Sequence, residues 1–411
     1  MISLDFRTRS DDEVLAVDIV DFMERQLREL AAYRSELAVP GALELGARPF
    51  TIETPAGAWT LSIDDVVRIE RGSRGEGLVR LDADDLTDLI YDLRTPMTFF
   101  TAGCLEMPRG RLRDFLDWWV ILRSLLDGRP VHTAGSVDFC YPDGDPLDLH
   151  SSFSSGDDET EMAQFLAEAG YLHVAGVFTE EEMAQVSADM DDALPHYGPD
   201  DGRSWWARTA DGERRPVRLQ WFQEHSPTTA ALLSDDRFLR IGRLTSDGHV
   251  SSQSTGNVIE ALVKPIGVVE GISDLPWHKD CSLGRHSYQC CGLTVGISVT
   301  GANARSGQLA VVAGSHRALV QPAFVRSCWG LPEIDLPTSS GDVTVHCSCT
   351  LHMSHPPVDH ERRVMYTSFS LPPRSELSAR GSIDSLARVR EQAYRTVSQA
   401  PGYVPVSGPE T

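Results

Sequence analysis

The sequence has few lysines, no paired cysteine motif and no long apolar run, and each shortage excludes a class of protein. Of its 37 basic residues only Lys264 and Lys279 are lysines, and 60 acidic residues give a formal net charge of -23. That charge argues against nucleic acid or an anionic membrane as a partner. No apolar run approaches transmembrane length, and the segment Met1–Arg7 lacks the apolar region of a signal peptide. We therefore expect a cytoplasmic protein without membrane contacts.

The eight cysteines form no Cys-x-x-Cys pair and no regular disulfide framework. A chain of this length can build hydrophobic cores without disulfides, so the cysteines indicate a reducing compartment. Cys281, Cys347 and Cys349 nevertheless lie close in sequence to several histidines. A zinc site made of cysteine and histidine therefore stays open as an alternative.

The 411 residues are enough for two or three domains with ordinary globular composition, 41% hydrophobic and 24% charged. Residues 1–135 show both helical and strand-like patterns, which predicts an α+β domain. Asp11 and Asp12 are expected to cap its first helix. The predicted helices lie at 15–30, 86–93 and 112–126, and the predicted strands lie at 50–54 and 59–63.

Residues 136–159 are rich in Pro, Gly, Asp and Ser, which predicts a linker. The rest of the chain, residues 160–411, again mixes helical and strand-like segments and is expected to form a second domain. Its predicted helices lie at 162–169, 180–194 and 382–397, and its predicted strands lie at 171–174, 341–346 and 362–369.

The segment His278-Lys279-Asp280 is the strongest candidate for a metal site. Residues two apart in a strand point to one face, so His278 and Asp280 can grip one ion from the same side. A third ligand is available from His346 or His352 further along the chain. Two histidines and one carboxylate match the facial triad of non-haem Fe(II) oxygenases, which leaves coordination positions open for dioxygen. A His-x-Asp step alone is common by chance, so this prediction depends on the wider set of residues.

Arg363 lies eleven residues after His352, on one of the predicted strands. A guanidinium group pairs with a carboxylate through two parallel hydrogen bonds, so Arg363 suits an anionic co-substrate. Lys264 and Lys279 are both close in sequence to the metal motif, and a retained ammonium group beside a carboxylate site is the interpretation we favour. Which of the two lysines contacts the co-substrate stays open.

Seven motifs between about Glu161 and Pro373 occur in a recognisable order. They are Phe165–Tyr171 (FLAEAGY), Lys264–Gly267 (KPIG), Trp277–Asp280 (WHKD), Gly307–Arg317 (GQLAVVAGSHR), Gly341-Asp342, His352–Ser354 (HMS) and Arg363. Together they cover about half of the chain, and in order and spacing they resemble the phytanoyl-CoA dioxygenase family of Fe(II)/2-oxoglutarate oxygenases. Two positions depart from that family. Lys279 replaces a common Gln, and Gly296 stands where many members carry Trp.

The resemblance implies an iron site formed by His278, Asp280 and His352. It also implies that Arg363 binds the far carboxylate of 2-oxoglutarate, with Ser354 beside it. Lys264, in the KPIG motif, is taken as a further residue of the co-substrate site. The expected cofactors are accordingly Fe(II), 2-oxoglutarate and O2.

The family spacing decides between the two candidates for the third ligand. His352 keeps that spacing from both Asp342 and Arg363, and His346 does not. We therefore favour His352. Of the other histidines, His316 is expected to be a turn and packing residue, and His355 is a candidate contact for a metal ligand or for the substrate. His286 could face the pocket, but nothing in the sequence distinguishes it from a loop residue.

The fold implied for residues 160–411 is a double-stranded β-helix, a jelly-roll or cupin-like core with flanking helices. It would follow the smaller α+β domain of residues 1–135. The pattern of that first domain resembles the sterol-carrier-protein-2 fold, which binds apolar ligands in a tunnel. Its aromatic residues are nevertheless most simply explained as core.

The expected activity is oxidation of an unactivated C–H bond in a small molecule, most simply hydroxylation, with release of succinate and CO2. Related halogenases lack the carboxylate at the position of Asp280, so its presence favours hydroxylation, desaturation or ring formation. A specialised metabolite is the expected substrate class, and a homodimer is possible. Two alternatives stay open: a metal-binding cupin without turnover, and a lipid carrier.

Overall fold

The computed structural model describes residues 15–199, 201–245, 248–251, 259–271, 275–283 and 292–371. The predicted cap at Asp11 and Asp12, and the predicted helix at 382–397, lie outside the described residues. Within the described ranges, every helix is too short or too polar to cross a lipid bilayer.

The first part of the chain folds as a five-stranded sheet with packed helices. Its elements are α1 (Ile19–Asp21), a π-helical turn (Phe22–Gln26), α2 (Leu27–Leu45), β1 (Phe50–Thr54), β2 (Gly57–Ile63), β3 (Val67–Arg71), β4 (Gly77–Arg80), α3 (Ala83–Ile90), α4 (Pro96–Thr101), β5 (Glu106–Arg109) and α5 (Leu112–Asp127). The strand order is β3-β2-β1-β4-β5, and only the β1–β4 pair is parallel. The predicted strands at 50–54 and 59–63 and the predicted helices near 86–93 and 112–126 are confirmed, whereas the helix predicted at 15–30 begins at Ile19 and continues to Leu45. The strands β3, β4 and β5 and the helix α4 were not predicted, and the likeness to sterol carrier protein 2 stays a prediction.

Aromatic side chains fill the core of this first part. Phe50 on β1 stacks on Phe115 of α5, with ring centroids 5.6 Å apart. Trp118 and Trp119 on α5 and Trp59 on β2 are each at most 1% exposed. Burial of such large apolar surfaces is the main force that holds helix against sheet. The aromatic residues therefore have the packing role expected from the sequence.

The second part contains the remaining helices and strands. They are β6 (Phe153–Ser154), α6 (Glu159–Ala169), β7 (Tyr171–Ala175), α7 (Glu180–Ala193), β8 (Ser204–Thr209), β9 (Arg214–Leu219), α8 (Pro227–Leu232), α9 (Asp236–Arg243), β10 (Val250–Ser251), β11 (Glu260–Lys264), β12 (Val268–Glu270), β13 (Gly292–Ser298), β14 (Leu309–Val312), β15 (Glu333–Leu336), β16 (Val343–Cys347), β17 (His352–Ser354) and β18 (Arg362–Ser370). Short 3-10 turns occur at Leu194–His196, Phe222–Glu224, Asp280–Leu283 and Ser327–Trp329.

Two sheets form the jelly-roll core that the sequence predicted. The large sheet has ten strands, in the order β12-β8-β9-β11-β18-β13-β16-β7-β6 with β10 paired to β18. The small sheet has the order β15-β14-β17. Apolar residues on one face of the large sheet, such as Val295, Val345 and Met365, pack into the main hydrophobic core with the helices. The opposite face carries polar residues and is directed at the small sheet, where Arg362 of β18 lies 3.3 Å from Ser354 of β17.

Residues 136–159, predicted to be a linker, pack against the second part. Phe153 and Ser154 form β6, which pairs in parallel with β7. Leu147 and Phe153 are buried in the same hydrophobic core as the large sheet. The domain boundaries at 135 and 160 stay predictions.

The first part of the chain also packs against the jelly roll. Its hydrophobic core includes Val312, Leu319 and Leu351 from the second part. A polar group, which we call the seam cluster, joins the two parts: Asp117 accepts a hydrogen bond from Gln321 at 2.5 Å and lies 3.2 Å from Arg326. Because α4 contacts the turn Asp280–Leu283, the first part supports the segment that carries the candidate metal ligands.

Candidate metal centre

The backbone of His278 pairs with that of His352. Each residue donates its N–H to the carbonyl of the other at 2.9 Å, which forms an isolated antiparallel bridge. The two imidazole rings consequently lie side by side, with centroids 4.2 Å apart. The prediction that His278 and Asp280 share one strand is wrong, because the chain turns into the 3-10 turn Asp280–Leu283 directly after this bridge. That turn, rather than strand alternation, brings the carboxylate back towards the imidazoles.

The side chains of His278, Asp280 and His352 converge on one point. Their candidate ligand atoms all lie within 4.8 Å of one another. Oδ1 of Asp280 is 3.3 Å from Nε2 of His278 and 3.6 Å from Nε2 of His352. Both imidazoles are buried, whereas 33% of the Asp280 side chain remains exposed. The group is therefore approached from the side of the carboxylate.

Hydrogen bonds fix the orientation of all three side chains. Nδ1 of His278 lies 2.8 Å from the carbonyl of Pro276, and Nδ1 of His352 lies 2.9 Å from the carbonyl of Thr350. Since a carbonyl only accepts, each Nδ1 carries the proton and each Nε2 presents its lone pair, which is the usual arrangement of metal-binding histidines. Oδ2 of Asp280 accepts a hydrogen bond from Thr294 at 2.7 Å. Two imidazoles with Nε2 directed at one point and one carboxylate are a donor set that fits a divalent iron ion.

The electrostatics favour the protonation states that a metal requires. Burial alone would raise the pKa of the Asp280 carboxyl, but the neighbouring imidazoles of His352, His278 and His346 outweigh burial and hold that pKa well below its usual range. Burial, together with the adjacent His346 and His278, lowers the pKa of His352 well below its usual value. At neutral pH the carboxyl is therefore ionised and the His352 imidazole is neutral.

His346 lies beside this triad. Its ring centroid is 4.1 Å from that of His352, and its Nε2 is 3.5 Å from Oδ2 of Asp280. The residue is 1% exposed, and neither ring nitrogen has a hydrogen-bond partner among the described residues. A buried polar group without a partner costs about 1–3 kcal/mol. The group of mutually close ligand atoms does not include His346, so the structure favours His352 as the third ligand, as the sequence did.

Arg363 does not face the triad. Its guanidinium donates to Ser187 at 2.8 Å and to Asp191 at 2.7 Å, on the side of the sheet that packs against α7. The preceding residue, Arg362, points to the opposite side and is 2% exposed. Neighbouring residues in a strand face opposite sides of a sheet, so a shift of one position exchanges inside and outside. The predicted position of Arg363 is thereby corrected: Arg362 is the arginine inside the jelly roll.

Arg362, Lys264 and Ser354 form a second polar group inside the jelly roll, which we call the anchor cluster. Nη1 of Arg362 donates to the carbonyl of Gly307 at 2.6 Å and lies 3.3 Å from the hydroxyl of Ser354. Lys264, which is directly opposite Arg362 in the β11–β18 pair, donates to the same hydroxyl. Within the described ranges, Arg362 makes no ion pair and its Nε has no hydrogen-bond partner. A buried guanidinium group requires an anion, so Arg362 suits a carboxylate ligand.

Sequence reasoning identified Ser354 and Lys264 in this cluster but missed Arg362. The signal that could have found it is the alternation of β18: Met365 and Phe369 belong to the buried apolar face, so the even-numbered residues face the other way. Gly307 contributes its backbone, and its φ of 82° is a conformation that favours glycine. The Ser-Gly-Gln segment of the sequence motif therefore shapes the anchor cluster.

Other residues considered from the sequence lie elsewhere. Lys279 is buried and donates to the carbonyl of Ser315 at 2.9 Å, and burial lowers its pKa. His316 packs with its Nε2 2.9 Å from the carbonyl of Ala167, as expected for a packing residue. His355 is half-buried and lies 3.2 Å from Asp335. His286 lies outside the described residues. In the part of the chain that the structure describes, no cysteine joins the candidate metal group.

Gly296 lies between the triad and the anchor cluster on the inner face of the sheet. A Cβ atom at this position would lie 2.8 Å from Oγ1 of Thr344 and 3.0 Å from Cε1 of Tyr366. Tyr366 stands opposite Gly296 in the β13–β18 pair, so its ring takes the space that a side chain at 296 would need. The departure from Trp seen in the sequence is therefore accommodated by Tyr366 on the neighbouring strand.

The second part of the chain matches a known protein family. Residues 166–364 match the family model described as Phytanoyl-CoA dioxygenase (PhyH). No curated protein matches the chain significantly in sequence.

Several solved structures resemble the chain. The non-heme alpha ketoglutarate dependent epimerase SnoN from nogalamycin biosynthesis is 20% identical over 52% of this chain and 82% of its own, with a TM-score of 0.41. The carbocyclase SnoK is 18% identical over 63% of this chain and 97% of its own, also at 0.41. EctD from S. alaskensis, solved with 2-oxoglutarate and 5-hydroxyectoine, is 17% identical over 57% of this chain and 89% of its own, at 0.43.

Proposed function

We propose that His278, Asp280 and His352 hold the ferrous ion of an enzyme of the phytanoyl-CoA dioxygenase (PhyH) family, whose family model matches residues 166–364. The chain is an oxidoreductase of the class that uses Fe(II), 2-oxoglutarate and O2. The observation that carries the proposal is the convergence of two correctly oriented imidazoles and one ionised carboxylate on a single point.

The co-substrate is assigned to the space between the triad and the anchor cluster. Bound Fe(II) would supply chelation of the 2-oxo acid end and reduction of dioxygen. The far carboxylate would be held by Arg362, with Lys264 and Ser354 beside it, because these groups are buried and directed at one another. Arg362 takes the role that the sequence gave to Arg363, since the guanidinium of Arg363 is bonded to Asp191 on the other face. Two charge-assisted donors make the site selective for a dicarboxylate.

We propose hydroxylation of an unactivated C–H bond in a small organic substrate, with release of succinate and CO2. Asp280 supports this choice, since a carboxylate ligand occupies the position that a halide would otherwise take. The Gly296–Tyr366 pair borders the inner face between the two polar groups and is proposed to help define the shape of the bound molecules. The substrate class proposed from the sequence is a specialised metabolite.

The experiment that tests this function is 2-oxoglutarate-dependent succinate formation, measured together with oxygen uptake after anaerobic loading with Fe(II). Wild-type protein is expected to form succinate slowly even without its organic substrate. Asp280→Ala should abolish that activity because the metal loses its only anionic ligand. His355→Ala, at a half-exposed residue paired with Asp335, is the matched control and should retain it. Full turnover in Asp280→Ala would disprove the ligand set, and metal binding without turnover in wild type would favour a non-enzymatic cupin.

A cytoplasmic location is proposed from the sequence, and the six described cysteines are free thiols, in keeping with a reducing compartment. The possible homodimer stays a prediction, which light scattering of the purified protein would test.

A further inference from the structure

His346 differs from the two histidines assigned to the metal in one specific respect. His278 and His352 each have Nδ1 committed to a backbone carbonyl, which fixes Nε2 as a lone-pair donor. Nδ1 of His346 has no such partner among the described residues, so nothing fixes Nε2 as a lone-pair donor. His346 is therefore free to carry its proton on Nε2 and to act as a hydrogen-bond donor.

The position of Nε2 determines where that donor is directed. It lies 3.5 Å from Oδ2 of Asp280, and the centroid of the His346 ring is 4.1 Å from that of His352. Oδ2 already accepts the hydroxyl of Thr294 at 2.7 Å. Since His346 is 1% exposed, bulk water does not satisfy it. Oδ2 of Asp280, at 3.5 Å, is too distant for a strong hydrogen bond, and buried polar groups in folded proteins are almost always paired, so this nitrogen can take a closer acceptor than the described residues supply.

We propose that Nε2–H of His346 donates a hydrogen bond to the carboxylate end of the 2-oxo acid where that end lies against the metal. This inference rests on the proposed function and adds a contact residue to it. His346 and the anchor cluster would then hold opposite ends of the same molecule, with Gly296 and Tyr366 between them on the inner face. The open side of Asp280, 33% exposed, leaves room for the ligand to enter.

The test is anaerobic titration of the Fe(II)-loaded protein with 2-oxoglutarate, followed by the visible charge-transfer absorption that appears when a 2-oxo acid chelates ferrous iron. Fe(II) affinity is measured separately by equilibrium dialysis. His346→Phe keeps a planar ring but removes both nitrogens, and we expect it to raise the Kd for 2-oxoglutarate at least tenfold while Fe(II) affinity changes less than threefold.

Two amide variants identify the nitrogen involved. Gln places its amide nitrogen near the position of Nε2 and should restore the Kd to within about threefold of wild type. Asn places its amide nitrogen near Nδ1 and should resemble Phe. The Gln–Asn contrast keeps the proposal testable if the Phe variant does not fold. Equal affinities in Gln and Asn would overturn the proposal.

Thr294→Val separates a direct contact from an effect through Asp280. It removes the hydroxyl group that donates to Oδ2 of Asp280, so it should weaken Fe(II) binding more than 2-oxoglutarate binding. A parallel loss of Fe(II) affinity in His346→Phe would instead make His346 a metal ligand or a support for Asp280, and an unchanged Kd would leave it a packing residue. Either result would overturn the proposal. Absence of any charge-transfer band in wild type would instead disprove the function on which it rests.

Discussion

Among the described residues, the seam cluster and the anchor cluster both bury charge, and they differ in how that charge is satisfied. In the seam cluster, Asp117 is paired with Arg326 and Gln321, all from the chain itself. In the anchor cluster, Arg362 is equally buried, yet within the described residues it has no carboxylate partner. A buried charge that the protein satisfies is structural, whereas one left for an external ion marks a binding site. Burial alone therefore does not separate a structural charge from a ligand-binding one. The presence or absence of an oppositely charged partner within the protein does.

The largest expected effect is on the anchor cluster. Arg362→Leu should raise the 2-oxoglutarate concentration needed for half-maximal succinate formation at least a hundredfold, on the order of 3 kcal/mol, because a charge-assisted pair is lost. Arg363→Leu is the matched control, with the same substitution one residue away on the outer face. It should change that requirement less than about threefold. A large increase in Arg363→Leu with little change in Arg362→Leu would instead make Arg363 the residue that binds the co-substrate. The anchor cluster would then no longer differ from the seam cluster as a binding site.

The seam cluster should make the free energy of unfolding depend on pH. Burial raises the pKa of Asp117 to about 6, against the opposing effect of Arg326. The folded protein therefore favours the protonated carboxyl, and this contribution is complete below the unfolded pKa of 3.8 and is lost as the pH rises through about 6. Relative to Asp117→Asn, the free energy of unfolding of wild type should fall by about 2 kcal/mol between pH 4 and pH 6.5.

Urea denaturation of both proteins at the two pH values measures this difference. The 2-oxoglutarate requirement of Asp117→Asn, measured at neutral pH, should stay close to that of wild type. If the difference in free energy of unfolding between wild type and Asp117→Asn were the same at both pH values, the pKa of Asp117 would not be raised in the folded protein.

Lys264 should have a smaller effect than Arg362. Lys264→Met keeps an unbranched, apolar side chain of similar length but removes the ammonium group that donates to Ser354. A point charge contributes less than a bidentate guanidinium, so we expect about a tenfold higher 2-oxoglutarate requirement. Lys279→Met, at the other buried lysine, tests whether the effect is local, since Lys279 donates to the carbonyl of Ser315. Equal effects from both lysines on the requirement would contradict the assignment.

The smallest effect is expected at Gly296. Gly296→Ala would bring a methyl group to 2.8 Å from Thr344 and 3.0 Å from Tyr366, and overpacking of this kind costs about 1 kcal/mol or somewhat more. Tyr366→Ala removes the ring on the opposite strand. The double variant should therefore be more stable than the sum of the two single changes predicts, as measured by chemical denaturation. Strict additivity would mean that the ring does not limit the space at 296.

The helices and strands that the sequence predicted correctly rest on hydrophobic periodicity, which is a local property, whereas β3–β6, β8–β15 and β17 were not predicted. The apolar spacing of α5 and the alternation of β18 are both visible in the sequence and both confirmed. The resemblance to the phytanoyl-CoA dioxygenase family implied the jelly-roll core and the grouping of His278, Asp280 and His352, whose ligand atoms the structure places within 4.8 Å of one another.

The inward direction of Arg362 could have been predicted from the sequence, because Met365 and Phe369 mark the buried apolar face of β18. Two other features of the site depend on geometry that the sequence does not contain. The 3-10 turn at Asp280 follows from a single-residue bridge between His278 and His352, which are far apart in sequence. The place of His346 beside the triad depends on the pairing of β16 with β13, which sets it opposite Thr294. These are long-range contacts, and local patterns do not encode them.

The central claim is that one ferrous ion is held by His278, Asp280 and His352, and metal content at equilibrium tests it most directly. Wild-type protein dialysed anaerobically against Fe(II) should bind about one ion per chain, whereas His352→Ala and Asp280→Ala should each lose that ion under the same conditions. His355→Ala should bind as wild type does. Undiminished iron in Asp280→Ala or His352→Ala would contradict the account.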